Sequence, residues 1–297
     1  MFALKNSEPA SLSVVIIALN ERQHLRPTVE CLQRSLPSGG EIIVVDDGST
    51  DGCCDFLIAA DSPVRLVKSN NLGISKARNY GARLTTGKVL VFADAHVSVP
   101  PRWWQPIIEV LKDPRIGAAG PAILNMEDRE EKGYGLHFDG PRLDTEWLDR
   151  EQNDPYPVPL LCGCFWAMRR DVFEATGGFD EGLTRWGSDD GELSLRLWLL
   201  GYELCVVPQV EVAHLFRDRP PYSLEWPAVL HNTLRLALVH FGAKRITEVL
   251  EALRDHEGFS EGMAQAVLND FSGRRAELIS TRVHDDEWFF SRFGLNW

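Results

Sequence analysis

Acidic and amide side chains form three small clusters in the first hundred residues of this 297-residue chain. The clusters are Asn20-Glu21, Asp46-Asp47 and Asp94-Ala95-His96, and each directly follows an apolar run. Carboxylates repel a phosphate, so they do not cradle it directly. They can instead hydrogen-bond a base or a ribose, or hold a divalent cation that binds the phosphate. The clusters therefore indicate a ligand site at these positions, either for a base or ribose or for a cation that holds a phosphate.

The triplet Asp94-Ala95-His96 is the most specific of the three clusters. Alternate residues of a strand share a face, so positions 94 and 96 are predicted to point the same way. One carboxylate and one imidazole on that face can bind Mn²⁺ or Mg²⁺, with diphosphate oxygens completing the coordination. The alternative is that Asp94 caps the following turn and His96 is only a polar residue at a strand end.

The elements that position these clusters are predicted from the hydrophobic pattern. β-branched runs alternate with helical patterns, the runs at 12–19, 42–45, 64–67 and 89–93 and the helices at 24–36 and 73–84. Such alternation is typical of right-handed βαβ units and a parallel sheet, whose ligands bind beyond the carboxyl ends of the strands. The predicted fold class is α/β, a doubly wound and mostly parallel sheet flanked by helices.

The pattern is less regular after residue 112. We expect a strand at 116–124, a loop-rich excursion over 125–158, an apolar segment at 160–168, a helix over 189–200 and strands at 203–207 and 210–216. From residue 228 the pattern is helical, with two or three helices and an aromatic end. We predict a catalytic domain over 1–227 and a helical extension over 228–297 that packs on it, or that serves as an acceptor lid or a dimer contact.

Net charge, hydropathy and missing motifs disfavour several classes of protein. The chain has 31 Lys and Arg against 43 Asp and Glu, a net charge of −12, which disfavours binding to nucleic acid or to an anionic membrane. Without a long apolar run or a signal-peptide pattern, we expect a cytoplasmic protein with no transmembrane segment.

The six cysteines lack C-x-x-C spacing and are expected to be reduced thiols. The G-x-G-x-x-G and Walker glycine motifs are missing, which disfavours nicotinamide cofactors and P-loop chemistry.

An ordered set of motifs resembles the GT-A class of glycosyltransferases, family 2, and more narrowly the polypeptide N-acetylgalactosaminyltransferases. The motifs are ALNE at 18–21, VVDDGSTD at 44–51, NNLGISKARNYGA at 70–82, VLVFADAH at 89–96, CGCFWAMRRDVFEATGGFDEG at 162–182, RWGSDDGELSLRLWLLGYEL at 185–204 and VEVAHLFRDRPPYS at 210–223. The resemblance spans about residues 13–222. It implies a GT-A fold and a hexosyl- or N-acetylhexosaminyltransferase that uses Mn²⁺ (or Mg²⁺) and a UDP-sugar.

The resemblance also implies roles for individual residues. Asp94, His96 and His214 would be the metal ligands, and Asp47, with Asp46 beside it, would contact the uracil. Arg217 and Tyr222 would neutralise or cover the diphosphate. Other residues at the donor site would be Asn20, Glu21, Ala95 and Gly163. Trp186 would pack over the leaving group. Where the family carries a cation ahead of the Gly73 motif, this chain has Asn71, so Lys76 or Arg78 is expected to supply that phosphate contact.

The catalytic base is where two resemblances disagree. Asp190 stands where inverting relatives carry a carboxylate and where the retaining mucin-type enzymes carry an amide. Asp189, Asp190 and Glu192 are three acids within four residues, more than capping of the following helix needs. We therefore interpret Asp190 as a general base in an inverting reaction, with Asp189 beside it. The alternative is a retaining reaction in which the diphosphate itself takes the proton.

Two other classes of function fit the sequence less well. A nucleotidyltransferase should carry a Gly-rich, Lys-containing loop after the first strand, and ALNERQHL is not such a loop. A non-catalytic binder of sugar nucleotides or glycans is the second, and the intact set Asp94, His96, His214 and Asp190 disfavours it. The acceptor is left open as a glycan, a peptide Ser or Thr, or a small molecule. A homodimer is also possible.

Overall fold

The computed structural model describes residues 12–58, 62–149, 152–217 and 223–297. Its strands are β1 Leu12–Ala18, β2 Glu41–Asp46, β3 Arg65–Lys68, β4 Val89–Asp94, β5 Val97–Ser98, β6 Ile116–Asn125, β7 Lys132–Gly133, β8 Leu136–Asp139, β9 Asp144–Trp147, β10 Tyr156–Pro157, β11 Phe165–Arg169 and β12 Glu203–His214. Its helices are α1 Leu25–Ser35, α2 Ile74–Arg83, α3 Trp104–Val110, α4 Arg170–Thr176, α5 Asp189–Leu199, α6 Trp226–His240, α7 Ala243–Leu253, α8 Phe259–Leu268, α9 Phe271–Thr281 and α10 Asp286–Phe293.

A large mixed sheet forms the centre of the fold, in the order β10-β12-β6-β11-β4-β1-β2-β3, with β5 paired to β12 and β7 to β6. Strands β3, β2, β1 and β4 are parallel, as predicted. Strand β11 is antiparallel to both β4 and β6, and β12 is parallel to β6. Strand β6 therefore runs in the same direction as β4, and so does β12. As a result, β12 ends at the same edge of the sheet as β1, β2 and β4. The predicted fold class is confirmed.

Both faces of the sheet are buried. Strand β4 contributes Leu90 and Phe92 to one core and Val91 and Ala93 to the other, as the two-residue period of a strand requires. Helices α1 and α3 cover the second of these cores, whereas α5, α6 and α10 share the first. Such double burial explains why these strands read as continuous apolar runs.

Three parts of the fold differ from the predictions. Residues 203–214 form one strand rather than two, with a shift in register between Val207 and Glu211; the intervening Pro208 has no N–H to donate to the ladder. The excursion over 125–158 contains β7 to β10, whose strands of two to four residues are too short to leave a clear period in the sequence. The C-terminal segment holds five helices, α6 to α10, rather than two or three.

The C-terminal helices share a core with the sheet. Phe289 and Phe290 of α10 are buried in the same cluster as Phe92 of β4 and Leu193 of α5. The aromatic end of the chain therefore contributes to packing. The division at residue 227 stays a prediction, and α6 begins at Trp226. None of the helices in the described part of the chain is long and apolar enough to cross a membrane.

Candidate functional site

Four strands deliver polar residues to one edge of the sheet. Strands β2, β4 and β12 end at Asp46, Asp94 and His214, and the turn after β1 carries Asn20 and Glu21. Because β12 pairs antiparallel to the short strand β5, His214 lies opposite Val97, the neighbour of His96. The carboxyl edge predicted to hold the ligand is therefore the edge at which the sequence motifs meet.

Asp94, His96 and His214 come together at this edge. Each offers one ligand atom, and these atoms lie within 4.8 Å of one another. The rings of His96 and His214 are 4.8 Å apart, and His214 Nε2 lies 3.3 Å from Asp94 Oδ2. The three side chains lie together, as their predicted role as metal ligands requires. The prediction that positions 94 and 96 share a strand face is wrong, because His96 lies in the turn after β4 rather than on the strand. The β5–β12 pairing brings it to His214 instead.

His214 is the member of this group whose polar atoms lack conventional partners. The side chain is only 11% exposed, yet neither ring nitrogen makes a hydrogen bond of normal geometry. A buried polar atom without a partner is unfavourable in a folded protein unless another ligand satisfies it. Two imidazoles and a carboxylate form a donor set suited to a borderline-hard divalent cation. The residues present therefore fit a metal site.

The electrostatics around Asp94 keep its carboxylate ionised. Burial alone would raise the pKa of Asp94, but the adjacent His214 and the Arg78 guanidinium outweigh it and lower the pKa to about 2. Asp94 is thus an anion across the physiological range. An ionised carboxylate is what a divalent cation requires of this residue.

Arg78 joins the metal group to the start of α5. Its guanidinium is an ion-pair partner of Asp189, and its Nη2 lies 3.3 Å from Asp94 Oδ1 and 2.7 Å from the Gly163 carbonyl oxygen, to which it donates. Burial, together with the neighbouring Asp190, raises the pKa of Asp189 although Arg78 opposes the shift. The predicted phosphate contact of Arg78 would require it to exchange one of these protein partners.

Asp190 is placed differently from Asp189. Its Oδ2 accepts the Gly163 N–H at 3.0 Å, and its Oδ1 accepts the Gly191 N–H at 2.8 Å. It is half-buried and, unlike Asp94 and Asp189, has no ion-pair partner among the described residues. A Cβ on Gly163 would meet Asp190 Oδ2 at 3.0 Å, so the absence of a side chain at 163 permits this close approach.

Glu21 connects a predicted metal ligand to a predicted diphosphate ligand. Its Oε2 lies 3.1 Å from His96 Nδ1 and 2.5 Å from Arg217 Nη2. Burial alone would raise the pKa of Glu21, but the bonds from His96 and Arg217 outweigh it and lower that pKa. Glu21 is therefore a buried anion between two groups of the site.

The remaining acids of the strand ends bind to the chain itself. Asp47 accepts hydrogen bonds from Ser69 Oγ and the backbone N–H groups of Leu72 and Gly73. Asp46 accepts from the Ser49 N–H, and the amide oxygen of Asn20 accepts from the Thr50 N–H. These residues fix the loops after β1 and β2. Their predicted contacts with the nucleotide stay predictions.

The other predicted donor-site residues are placed as follows. Ala95 is buried, Lys76 is half-buried, and Trp186 is exposed at 44% on the loop before α5. Tyr222 lies outside the described residues. Next to His214, the exposed rings of Phe216 and Trp147 pack edge to face at 6.0 Å. Sequence reasoning missed both rings: Phe216 lies within the H-x-x-R motif, whereas Trp147 lies in the irregular excursion and gave no signal.

The cysteines agree with the expectation of reduced thiols. All six are free, and Cys162 and Cys164 flank Gly163 with their sulfur atoms 3.3 Å apart. Burial strongly raises the pKa of the Cys164 thiol. The thiol is thus a neutral packing group behind the site.

Comparison with known families identifies the chain. The profile described as "Glycosyl transferase family 2" matches residues 13–177, and that described as "N-terminal domain of galactosyltransferase" matches residues 150–218. The chain belongs to glycosyl transferase family 2. The family 2 match contains the strand ends Asp46 and Asp94 and the segment around Gly163, and the second match contains Asp190 and His214.

Relatives of this family 2 member include animal sugar transferases. It is 29% identical to the "Probable N-acetylgalactosaminyltransferase 8" of Caenorhabditis elegans over 78% of this chain and 62% of the relative. It is 33% identical to the "Polypeptide N-acetylgalactosaminyltransferase 11" of Xenopus tropicalis over 76% of this chain and 42% of the relative. The chain thus spans less than two thirds of the length of these curated relatives.

Solved structures share the fold. The GalNAc-T7 structure "with UDP, GalNAc and Mn2+" superposes with a TM-score of 0.77 at 21% identity, covering 97% of this chain and 57% of GalNAc-T7. The mannosyltransferase PcManGT from Pyrobaculum calidifontis, solved with GDP-Man and Mn²⁺, superposes with a TM-score of 0.56 at 18% identity over 98% and 84% of the two chains. These likenesses establish the GT-A fold of this family 2 member.

Proposed function

We propose that the chain transfers a sugar from a UDP-sugar to an acceptor hydroxyl, with Asp94, His96 and His214 holding Mn²⁺ or Mg²⁺. The observation that carries the proposal is the convergence of these three ligand groups within 4.8 Å, with both His214 nitrogens unbonded, at the carboxyl edge of the sheet. The relatives named as N-acetylgalactosaminyltransferases and the Mn²⁺ in the GalNAc-T7 structure support it.

The chain's own residues divide the work of the reaction. A bound cation would supply Lewis-acid stabilisation of the charge that grows on the departing diphosphate. Arg217 places a guanidinium beside His96 through Glu21, where it can donate hydrogen bonds to the same diphosphate. Arg78 pairs with both Asp94 and Asp189 and so fixes the positions of the two carboxylates. Trp186, exposed at the rim, would cover the sugar-diphosphate bond.

The names of the relatives suggest which substrates to test first. N-acetylgalactosamine is the sugar in those names, and polypeptide is the acceptor in several of them. We therefore propose UDP-N-acetylgalactosamine as the first donor and a peptide Ser or Thr hydroxyl as the first acceptor. UDP-N-acetylglucosamine differs from it only in the configuration at C4, UDP-galactose only in the substituent at C2, and UDP-glucose at both positions, so these three donors are the natural comparison set.

We further propose Asp190 as the base that removes the acceptor proton, with inversion at the anomeric carbon. Asp94 and Asp189 are each paired with Arg78, whereas the Asp190 carboxylate accepts hydrogen bonds from two backbone N–H groups and forms no ion pair within the described residues. Asp190 can therefore take up a proton without breaking an ion pair, whereas Asp94 and Asp189 would each lose the contact with Arg78. The competing reaction retains configuration and passes the proton to the diphosphate, in which case Asp190 serves only to fix Gly163.

The activity is tested by release of UDP from each donor, with and without Mn²⁺, and with a Ser/Thr peptide as acceptor. We expect release that requires Mn²⁺ and increases with the acceptor. Binding of UDP-sugars without hydrolysis or transfer for any donor would instead favour a non-catalytic binder. Release that is unaffected by chelation would overturn the metal site.

Replacement of Asp190 by Asn tests the base. We expect kcat to fall about 10³-fold with unchanged donor affinity, because general base catalysis contributes on the order of 10²–10⁴. The matched control is Asp285→Asn, since Asp285 is a carboxylate that only caps a helix, accepting the Trp288 N–H at 2.9 Å. The anomeric proton coupling of the product, measured by NMR, separates inversion from retention. A retained product or a mild effect of Asp190→Asn would contradict the role.

A further inference from the structure

One carboxylate oxygen of Glu21 contacts both His96, a predicted metal ligand, and Arg217, a predicted diphosphate ligand. Oε2 lies 3.1 Å from His96 Nδ1 and 2.5 Å from Arg217 Nη2. The three side chains are only 9%, 15% and 18% exposed for Glu21, His96 and Arg217 respectively, so solvent screens these contacts weakly. Glu21 therefore stands as a negative charge between a ligand for a cation and a ligand for an anion.

The contact with His96 fixes the ring for a metal. When Nδ1 carries the proton that Glu21 accepts, the lone pair is on Nε2, which then becomes the ligand atom. Carboxylates that accept from a ligating imidazole orient the ring and increase its basicity, and their loss typically weakens metal binding 10- to 100-fold. The negative charge itself also attracts a cation bound next to His96.

The contact with Arg217 weakens the attraction of the site for an anion. A guanidinium paired with a carboxylate attracts a diphosphate less than an unpaired one, because the carboxylate repels the same anion. A cation at Asp94, His96 and His214 would offset this repulsion. One buried carboxylate can therefore favour the metal and disfavour a diphosphate that arrives without it.

We propose that Glu21 is a positioning residue that makes donor binding depend on the metal: it aligns His96 for the cation and, by pairing with Arg217, discriminates against a diphosphate without a metal. This inference rests on the function proposed above. It goes beyond that function because it assigns to Glu21 the selection of a metal–diphosphate pair over a bare diphosphate. Glu21 need not touch either ligand.

The test is Glu21→Gln in the full chain, with Mn²⁺ and UDP as the probes. The substitution keeps the shape and an acceptor for His96 but removes the charge. We expect Mn²⁺ affinity to fall about tenfold and UDP affinity without metal to rise about tenfold, measured by calorimetry. Damage to the fold would lower both affinities, so the opposite signs separate a positioning role from a structural one.

Two further variants sharpen the test. Glu41→Gln is the matched control, because Glu41 is a half-buried carboxylate that accepts from Ser13 and Thr86 at the opposite edge of the sheet, and it should change neither affinity. In the double variant Glu21→Gln with Arg217→Gln, the gain in metal-free UDP affinity should disappear, since that gain acts through Arg217.

Three results would overturn the inference. If Glu21→Gln leaves both affinities as in the wild type, or moves them in the same direction, Glu21 does not discriminate. If its gain persists without Arg217, the pairing is not its cause. If the wild-type chain itself binds no Mn²⁺, the proposed function fails at its metal site and the inference with it, an outcome visible before any variant is made.

Discussion

Two clusters of acid, arginine and histidine side chains in this protein use the same residue types for opposite purposes. The strand-end cluster comprises Asp94, His96, His214, Glu21 and Arg217. The internal cluster, between α5 and α6, comprises Glu192, Arg196 and His240. Both hold a carboxylate against an arginine and an imidazole within the folded chain.

The internal cluster is fully satisfied. Arg196 donates to both oxygens of Glu192 at 2.8 and 3.0 Å and to the carbonyl oxygens of Thr176 and Gly178 at 2.6 Å, and His240 Nε2 lies 2.9 Å from Glu192 Oε1. The side chains of Glu192, Arg196 and His240 are at most 2% exposed. A cluster with no unmet hydrogen bond and no access can stabilise the fold but cannot bind a ligand.

The strand-end cluster differs in what it leaves unmet. Both nitrogens of His214 lack hydrogen bonds of normal geometry, and the Asp94 side chain is 26% exposed. The comparison teaches that residue type does not mark a binding site in this chain. The strand-end site is marked instead by a buried ring without hydrogen-bond partners beside a carboxylate that solvent can reach.

The largest expected effect is that of His214→Ala. It should lower turnover on the order of 10⁴-fold, about 5.5 kcal/mol, because it removes a metal ligand. The free energy of unfolding should change little, since the His214 ring makes no hydrogen bond that would be lost. Turnover with UDP-N-acetylgalactosamine and urea unfolding check the two halves. Strong destabilisation by His214→Ala would mean that both clusters are structural.

Glu192→Gln is the reciprocal test in the internal cluster. It should lower the free energy of unfolding by about 3–5 kcal/mol, because it leaves the buried Arg196 charge without its partner. Mn²⁺ binding by the remaining folded protein should be unchanged. Loss of Mn²⁺ binding without loss of stability would contradict the distinction between the clusters.

The same variant has a pH signature. Burial alone would raise the pKa of Glu192, but Arg196 and His240 outweigh it and hold that pKa below its ordinary value. Since the folded pKa is depressed, this stabilisation is present above the unfolded value of about 4.5 and is lost as the pH falls below it. Urea unfolding of the wild type should weaken over that range, and the Glu192→Gln protein should show a flatter dependence.

The smallest expected effect is that of Gly163→Ala. The new Cβ would meet Asp190 at 3.0–3.2 Å, so that carboxylate must shift by a few tenths of an ångström. Such a displacement should lower kcat about tenfold with little change in stability. Gly242→Ala, whose Cβ would meet Asp286 at an ordinary 3.6 Å, is the matched control. Equal kcat values for the two variants would exclude Asp190 from the chemistry.

Much of the fold could be predicted because its signals are local. The apolar runs gave β1, β2 and β4, and the polar residues after them gave the ligand edge. The antiparallel direction of β11 was not predictable, because a strand's period carries no information about the direction of its neighbours. The short strands of the 125–158 excursion were missed since two to four residues show no reliable period.

The sequence indicated which residues form the site better than it indicated which residues they contact. In the sequence, the three acids at the start of α5 form one group. In the structure each has its own partner: Asp189 pairs with Arg78, Glu192 pairs with Arg196, and Asp190 accepts from backbone N–H groups. Arg78, expected to face a phosphate, is buried between carboxylates. Sequence spacing along a helix start cannot distinguish these roles, because the partners come from distant elements.

The sequence by itself determined which chemical groups this protein carries and at which strand ends they stand, since alternating patterns and turn residues act over a few neighbours. Only the tertiary structure decided that His214 meets Asp94, that Glu21 bridges His96 and Arg217, and that Glu192 is sealed from solvent. These outcomes depend on strand order, on the reversal at β11 and on the β5–β12 pairing. Such long-range pairings are set by the packing of the whole core rather than by any local run of residues.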